Sequence, residues 1–398
     1  MKTHGKLLAL STMALMLVAC GGNTPKYTEA DVILAMAKEA QKRIDNHGKV
    51  GIKKDIIPSS ALKEYPETFD LRNVDTNNDG KFENYVTDIK FQNPFGSCWS
   101  FGATAAAETS ILFDKKQEAI VNDKNTIDLS EHHTAWFVYT PLPEGDPQAG
   151  EGLYSQVDGV EENPSLKLNS GSTQFAASSM WASGMGVVQE PDFDTTEGVL
   201  SQLNYHGINR WTNITDKGFP VYSKEDDWSV DESLRFKQSY MLENSICLPE
   251  PLYFNEDGSM DLDYCELASK SYKEQLMKGR ALVVGFQADS YSPDSPGRAA
   301  KYINTDTYAH YTYEPKTQNH SVCVVGWDDN YSRSNFLNKV QYVVNGVPAF
   351  DKDGKPIMKD VPQPPKDGAW IVKNSWGSLD SISDGLNINN WGVNGSGY

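Results

Sequence analysis

Apolar and polar positions alternate in different rhythms along the chain, and each rhythm predicts an element. Residues 7–18 are largely apolar and follow Lys2 and Lys6. The run is short of the about 20 residues a membrane-spanning helix takes, and it has the form of a signal-peptide core. In 28–44, Ala30, Ile33, Leu34, Ala37 and Ile44 fall at helical spacing, which predicts an amphipathic helix, and Gly48, Gly51 and Pro58 then break the pattern. The alanine-rich stretch 97–113 predicts a second helix, 172–181 a third closed by Gly184 and Gly186, and 267–278 a fourth that stops at Gly279. Continuous β-branched and apolar runs at 281–288, 321–327 and 369–374 predict buried strands. Between the last two, Asn345-Gly346, Asp353-Gly354 and several prolines mark 338–368 as a turn-rich insertion. Residues 195–265 mix aromatic, charged and turn residues with no period, and no element is assigned there. Helices thus precede strands, the order of an α+β fold and not of alternating βαβ units.

The length of 398 residues accommodates one large domain or two ordinary ones. A formal net charge of -18 argues against nucleic-acid binding, which needs clustered Lys and Arg. It argues equally against docking to anionic lipid through a basic patch. The apolar run ends in Leu17-Val18-Ala19-Cys20, which resembles a bacterial lipobox. On that reading Cys20 carries lipid and anchors the protein without a spanning helix. The alternative is an ordinary secretory signal with an unrelated cysteine. Gly21 is not an acidic retention residue, which points to an outer membrane where the cell has two. The expected organisation is therefore a signal peptide with lipobox over 1–20, a tether or short prosegment over 21–65, a helical half over 66–265 and a β-rich half over 266–398.

Beyond Cys20 the cysteines are Cys98, Cys247, Cys265 and Cys323. They are too few for a disulfide scaffold. Cys247 and Cys265 either bridge or stay free, and Cys323 reads as core. Asp75-Thr76-Asn77-Asn78-Asp79-Gly80 matches the first half of a calcium loop, but its twelfth position is Val86 where Glu is required. The better reading is a polar Asn-Asp-Gly turn. Zinc-type Cys/His pairs, a P-loop and a dinucleotide fingerprint are all missing, so no cofactor is expected.

Three separated segments carry chemistry: 92–101 (QNPFGSCWSF), 319–328 (NHSVCVVGWD) and 370–377 (WIVKNSWG). A thiol becomes a strong nucleophile only as a thiolate, which a helix N-terminus and an adjacent imidazolium both stabilise. Cys98 lies where a glycine turn gives way to the alanine-rich helix. His320 opens an apolar strand, a rigid platform for a general base. Asn374 closes another strand and can accept a hydrogen bond from the far ring nitrogen. The backbone N–H of Cys98 and the side-chain amide of Gln92 are natural donors to an oxyanion. Read singly, Cys98 is equally a buried thiol and His320 a core histidine. His47, His132, His133, His206 and His310 lack such contexts and read as structural or surface residues.

Together the three segments resemble the papain, or cathepsin, family of cysteine peptidases. The resemblance covers about 66–398 and implies a two-lobed α+β fold, a helical lobe and an antiparallel β-rich lobe with the active-site cleft between them. It implies Cys98 as nucleophile, His320 as general acid/base, Asn374 as its orienting partner and Gln92 in the oxyanion hole. Trp376 matches the tryptophan that shields the His–Asn bond. Phe69-Asp70-Leu71-Arg72 is similar to the start of the mature enzyme, and Leu129-Ser130-Glu131 to a helix-capping segment. Gly171 and Ser172 stand where the family binds substrate backbone. The chain departs from the pattern at Phe95, where the family has a disulfide cysteine, and at Ser172, where it has glycine. More than two hundred residues separate Cys98 from His320, against about 130–150 in the family, so inserted loops are expected. The segment 391–398 is similar to the turn before the family's last strands, which would then be absent or lost by truncation. The expected activity is hydrolysis of protein or peptide substrates through an acyl-enzyme. Acyl transfer to amines, or a non-catalytic surface binding protein on the same scaffold, are the alternatives.

Overall fold

The computed structural model describes residues 64–115, 127–191, 198–203, 205, 211–214, 220–222, 227–251, 259–289, 300–314, 316–344, 347–378, 382–383, 386–387 and 391–398. The expected signal peptide, lipobox and 28–44 helix lie outside these residues, as do His47 and His206. Contacts divide the chain into two units, Met1–Ala61 with Pro249–Ala268, and Leu62–Leu248 with Ser269–Tyr398. In the first unit the described part is chiefly the start of a helix, where the Asp261 carboxylate accepts the Tyr264 N–H at 3.0 Å.

In chain order the elements are β1 (Thr68–Asp70), α1 (Cys98–Asp114), α2 (Glu131–Val138), α3 (Gln174–Ala182), β2 (Trp211–Ile214), β3 (Pro220–Tyr222), α4 (Leu262–Met277), β4 (Leu282–Phe286), β5 (His320–Asp328), β6 (Lys339–Gln341), β7 (Val343–Val344), β8 (Val347–Pro348), β9 (Met358–Asp360), β10 (Ala369–Lys373), β11 (Ile382–Ser383) and β12 (Leu386–Asn387). The helices and strands expected within the described residues are present, with ends shifted by a few residues. The largest difference is α4, which begins at Leu262, earlier than the expected 267. The insertion expected over 338–368 carries two antiparallel pairs, β6 with β9 and β7 with β8. The unassigned 195–265 region contains the β2–β3 hairpin.

β5 is the centre of the main sheet. It pairs antiparallel with β10, and with β1 and β4 at its two ends. Eight of its nine residues are buried, which explains why it reads as an unbroken apolar run and not as an alternation. α1 lies directly on this sheet. Gly102 makes the approach possible, because a Cβ there would meet Val283 Cγ1 at 3.2 Å and the Val322 carbonyl at 3.5 Å. One core, on the helical side, joins Trp99, Phe101, Trp136, Trp181 and Trp228. The other lies under the sheet and contains Leu71, Val86, Leu276, Val325 and Trp327.

The two histidines of α2 are structural. His132 Nε2 meets the Trp228 carbonyl at 2.8 Å and His133 Nε2 the Leu234 carbonyl at 2.9 Å, which pins the segment 228–234 to the helix. The Asp75–Gly80 loop is a turn in which the carboxylates serve the backbone. Asp75 accepts the Asp79 and Gly80 N–H groups at 3.1 and 2.9 Å, and Asp79 accepts that of Lys81 at 2.8 Å. Cys247 and Cys265 are free thiols, as are Cys98 and Cys323.

Candidate active site

Cys98 is the first residue of α1. The capping position, Ser97, makes no side-chain cap, and the first turn holds no acidic residue. The Ser97 hydroxyl instead pairs with the Tyr205 hydroxyl at 3.1 Å. The helix therefore presents uncapped N–H groups and the positive end of its dipole at the thiol. Burial pushes the Cys98 thiol up. Opposing this are the Ser321 backbone N–H, the Trp99 backbone N–H, the Ser321 hydroxyl and the N–H of Cys98 itself, all of which favour the thiolate. These contacts place the sulfur beside the neighbour of His320.

His320 opens β5 and is 6% exposed. Its Nε2 lies 2.8 Å from Asn374 Oδ1. The acceptor oxygen fixes the tautomer, so Nε2 carries hydrogen and Nδ1 is left as the basic nitrogen. Asn374 follows β10, whose last residue, Lys373, stands opposite Cys323. Asn374 Oδ1 also accepts the Ser375 N–H at 2.8 Å. The Trp376 ring stacks on the imidazole at 4.5 Å between centroids and 25° between planes, covering this bond. Burial pushes His320 down to about 4, with the Asn374 bond acting in the opposite direction.

The segment before α1 is tied to the segment after β10. Gln92 N–H donates to the Ser375 carbonyl at 2.9 Å and Gly377 N–H to the Lys90 carbonyl at 3.1 Å. The Gln92 side chain is held at both ends: Oε1 accepts the Ser375 hydroxyl at 2.7 Å, and Nε2 donates to the Phe95 carbonyl at 3.1 Å. An amide nitrogen has two hydrogens, so a second donor remains on a residue that lines the cavity. Tyr205 donates to the Gln92 carbonyl at 2.5 Å and braces the turn from behind.

A cavity of about 590 Å³ is walled by Gln92, Cys98, Gly171, Ser172, His320 and Trp376 among others. Six of the residues singled out from the sequence thus meet on one cavity, and Asn374 stands behind its wall, joined to it through His320. Gly171 is exposed, and its carbonyl accepts the Tyr139 hydroxyl at 2.8 Å. Ahead of it, Asn169 Oδ1 accepts the Gly96 N–H at 2.9 Å and the Ser170 carbonyl accepts Trp99 Nε1 at 3.2 Å. Ser172 in place of glycine is accommodated on this wall. Sequence reasoning missed three residues. Ser321 serves the sulfur, Ser375 orients Gln92, and Asp289 adds a carboxylate to the wall. Ser321 and Ser375 each follow a residue singled out by motif, and that adjacency was the available signal.

Beneath the site, Lys90 Nζ lies 2.6 Å from Asp128, 2.8 Å from Glu131 and 2.9 Å from Glu108. The cluster joins the Gln92 turn to α1 and α2. Cys323 is 1% exposed and its thiol is pushed up to about 12 by burial, in keeping with a core role.

Residues 65–134 match the family model described as papain family cysteine protease. That segment holds Gln92, Cys98 and the α2 cap. The architecture around it is α+β, with α1, which begins at Cys98, packed on the β5 sheet. No curated protein matches the chain. Among solved structures, the chain is similar to the cysteine protease and lectin-like domains of Cwp84, a surface layer associated protein of Clostridium difficile. That match has 19% identity and a TM-score of 0.32, and covers 74% of this chain and 43% of that one. It is also similar to the bromelain protease from Ananas comosus in complex with the E64 inhibitor (17% identity, TM-score 0.35, 79% and 84% covered). A third similar structure is digestive procathepsin L2 proteinase from the larval midgut of Tenebrio molitor (16%, 0.38, 98% and 92%). The chain spans about half the length of the first solved structures it matches, 48% and 43%.

Proposed function

We propose that this protein is a cysteine peptidase with Cys98 as nucleophile, His320 as general acid and base, Asn374 as the orienting residue and Gln92 as an oxyanion donor. The observation that carries the reading is the 2.8 Å bond from His320 Nε2 to Asn374, on the same cavity wall as a thiol at an uncapped helix N-terminus. Burial disfavours an isolated thiolate and an isolated imidazolium alike. The two groups charge at least cost together, when the thiol proton moves to His320 Nδ1 and the pair stays neutral overall.

The thiolate sulfur then attacks a peptide carbonyl carbon. The carbonyl oxygen becomes an oxyanion facing the Cys98 N–H and the Gln92 amide. The His320 imidazolium gives its proton to the leaving nitrogen as the C–N bond breaks, leaving an acyl-enzyme. Water loses a proton to His320, its oxygen bonds to the acyl carbon, the S–C bond breaks and the thiol regains its proton. We further infer display on the bacterial cell envelope through a lipid on Cys20, on the outer membrane where two are present, with the catalytic part outside the cytoplasm. The lipobox-like sequence supports this, and the mass of the N-terminal peptide from membrane-extracted protein tests it.

The test of the activity is reaction of the full chain with an epoxide-type thiol-peptidase inhibitor, followed by mass mapping. One adduct on Cys98, abolished by Cys98→Ala and slowed strongly by His320→Ala, is expected. A folded protein labelled first on exposed Cys247, with Cys98 unmodified, would refute the assignment.

A further inference from the structure

One wall of the cavity holds a carboxylate that the reaction does not use. Asp289 lies just past β4, whose register sets Phe286 opposite His320. The chain between is fixed to the catalytic strand, because Asn319 N–H donates to the Phe286 carbonyl at 3.0 Å and Ala288 N–H to Asn319 Oδ1 at 2.7 Å. Asp289 is 7% exposed, and its Oδ2 accepts the backbone N–H groups of Lys301, Tyr302 and Ile303 at 2.5–3.1 Å. Three such bonds hold the carboxylate in one place. Among the described side chains lining this cavity, Asp289 is the only carboxylate, and none is Lys or Arg. Gln174, Gln318 and Asn319 add neutral polar surface beside it.

We propose that Asp289 makes this cleft select a cationic side chain, Lys or Arg, in the peptide it binds. This inference rests on the peptidase reading and adds the substrate class to it. A single fixed charge in a concave, partly desolvated wall has its field focused into the cavity and weakly screened. A cationic side chain on that side gains, and an anionic one meets repulsion on top of its own desolvation. The three N–H dipoles place the carboxylate without removing its net charge.

The test uses full-length protein and peptidyl epoxides that differ only in one side chain, Lys, norleucine or Glu, moved through successive positions. The readout is the rate of Cys98 alkylation. At one position the Lys reagent should react about tenfold faster than the Glu reagent, with norleucine between, and the ratio should shrink as salt is raised. In Asp289→Asn the Lys:Glu ratio should fall to about one, and in Asp289→Glu a Lys preference should persist. Because the ratio is taken within each protein, a general loss of reactivity cancels. A ratio near one at every position of the wild type, or a ratio unchanged in Asp289→Asn, overturns the proposal. Should Asp289→Asn fail to fold, the wild type decides, and a Lys preference indifferent to salt overturns it. Failure of the peptidase reading looks different: no reagent modifies Cys98 whatever its side chain, and both proposals fall.

Discussion

Lys90→Met should cost the protein about 3–5 kcal/mol, more than any other single replacement near the site. Lys90 Nζ is the cation at the centre of Glu108, Glu131 and Asp128, and it also donates to the Leu129 carbonyl at 3.1 Å. The Glu108 and Glu131 side chains are 0% and 1% exposed, while Asp128 is 45% exposed. Removing one partner of a buried ion pair costs about 3–5 kcal/mol, because the remaining charge is stranded. The Asp128 contact adds at most about 1 kcal/mol after solvent screening. At about 2 °C per kcal/mol for a chain of this size, the midpoint should fall by roughly 6–10 °C.

The pH dependence fixes the mechanism. Burial pushes Glu131 up to about 7, with Lys90 pulling it down and Glu108 and Asp128 adding to the rise. A carboxyl raised in the folded state stabilises below its unfolded value of 4.5, and that contribution is lost as pH rises through 7. Without Lys90 the folded value of Glu131 rises further and the loss at high pH deepens. Urea melts of both proteins should therefore show the widest gap near pH 8 and a narrowing gap toward pH 4.5, where Glu131 takes up its proton. Comparison at equal pH cancels the histidines, which titrate in both proteins. A gap under about 1 kcal/mol at pH 8, or one that widens on acidification, would refute the account.

Asn374→Ala should lower kcat/KM for a peptide substrate by about a hundredfold, or roughly 2.7 kcal/mol, because the ring loses the acceptor that fixes its tautomer while Trp376 still stacks on it. An unchanged value would remove Asn374 from the site. Acid should destabilise the protein as pH falls from 6.5 through 4, since burial depresses His133, His310 and His320 to about 4 and the unfolded chain then binds more protons. Thermal melts across that range check this, and His133→Asn should flatten the slope. Gly279→Ala should cost roughly 2–4 kcal/mol, because Gly279 has φ +75° and an added Cβ would run into the Phe113 ring. A denaturant midpoint within error of wild type would contradict that close approach.

The parts of the fold legible in the sequence are those whose pattern is local. β5 and β10 read as strands because their residues are buried or half-buried on both faces, and α1 read as a helix from its alanines. The placement of Cys98 and His320 on one cavity, with Asn374 bonded to His320, followed from residue chemistry in motif context. Long-range packing was not legible. The segment around Trp228 and Leu234 has no period of its own, because carbonyls on the α2 histidines and a shared core hold it in place. Likewise Asp289 looks like any acid after a strand. Its significance arises only when backbone N–H groups more than ten residues later close around it.

The same distinction explains why, on the peptidase reading, the Cys98–His320 pair needs the whole unit. A helix N-terminus alone lowers a thiol's pKa by stabilising its anion, yet the Cys98 thiol is pushed up, because burial outweighs the N–H groups aimed at it. His320 is pushed down for the same reason. On the peptidase reading, each group therefore depends on the other for its charged form, and the energy of that pair depends on distance and orientation. Orientation is set from β10 through Asn374 and Trp376, and distance by how closely α1 can lie on β4 and β5, which Gly102 permits. A Gly102→Val enzyme that still folds should therefore retain its exposed-thiol chemistry at Cys247 while Cys98 loses its selective reactivity with epoxides. Equal selectivity in that variant would mean that the helix terminus activates the thiol without help from the sheet.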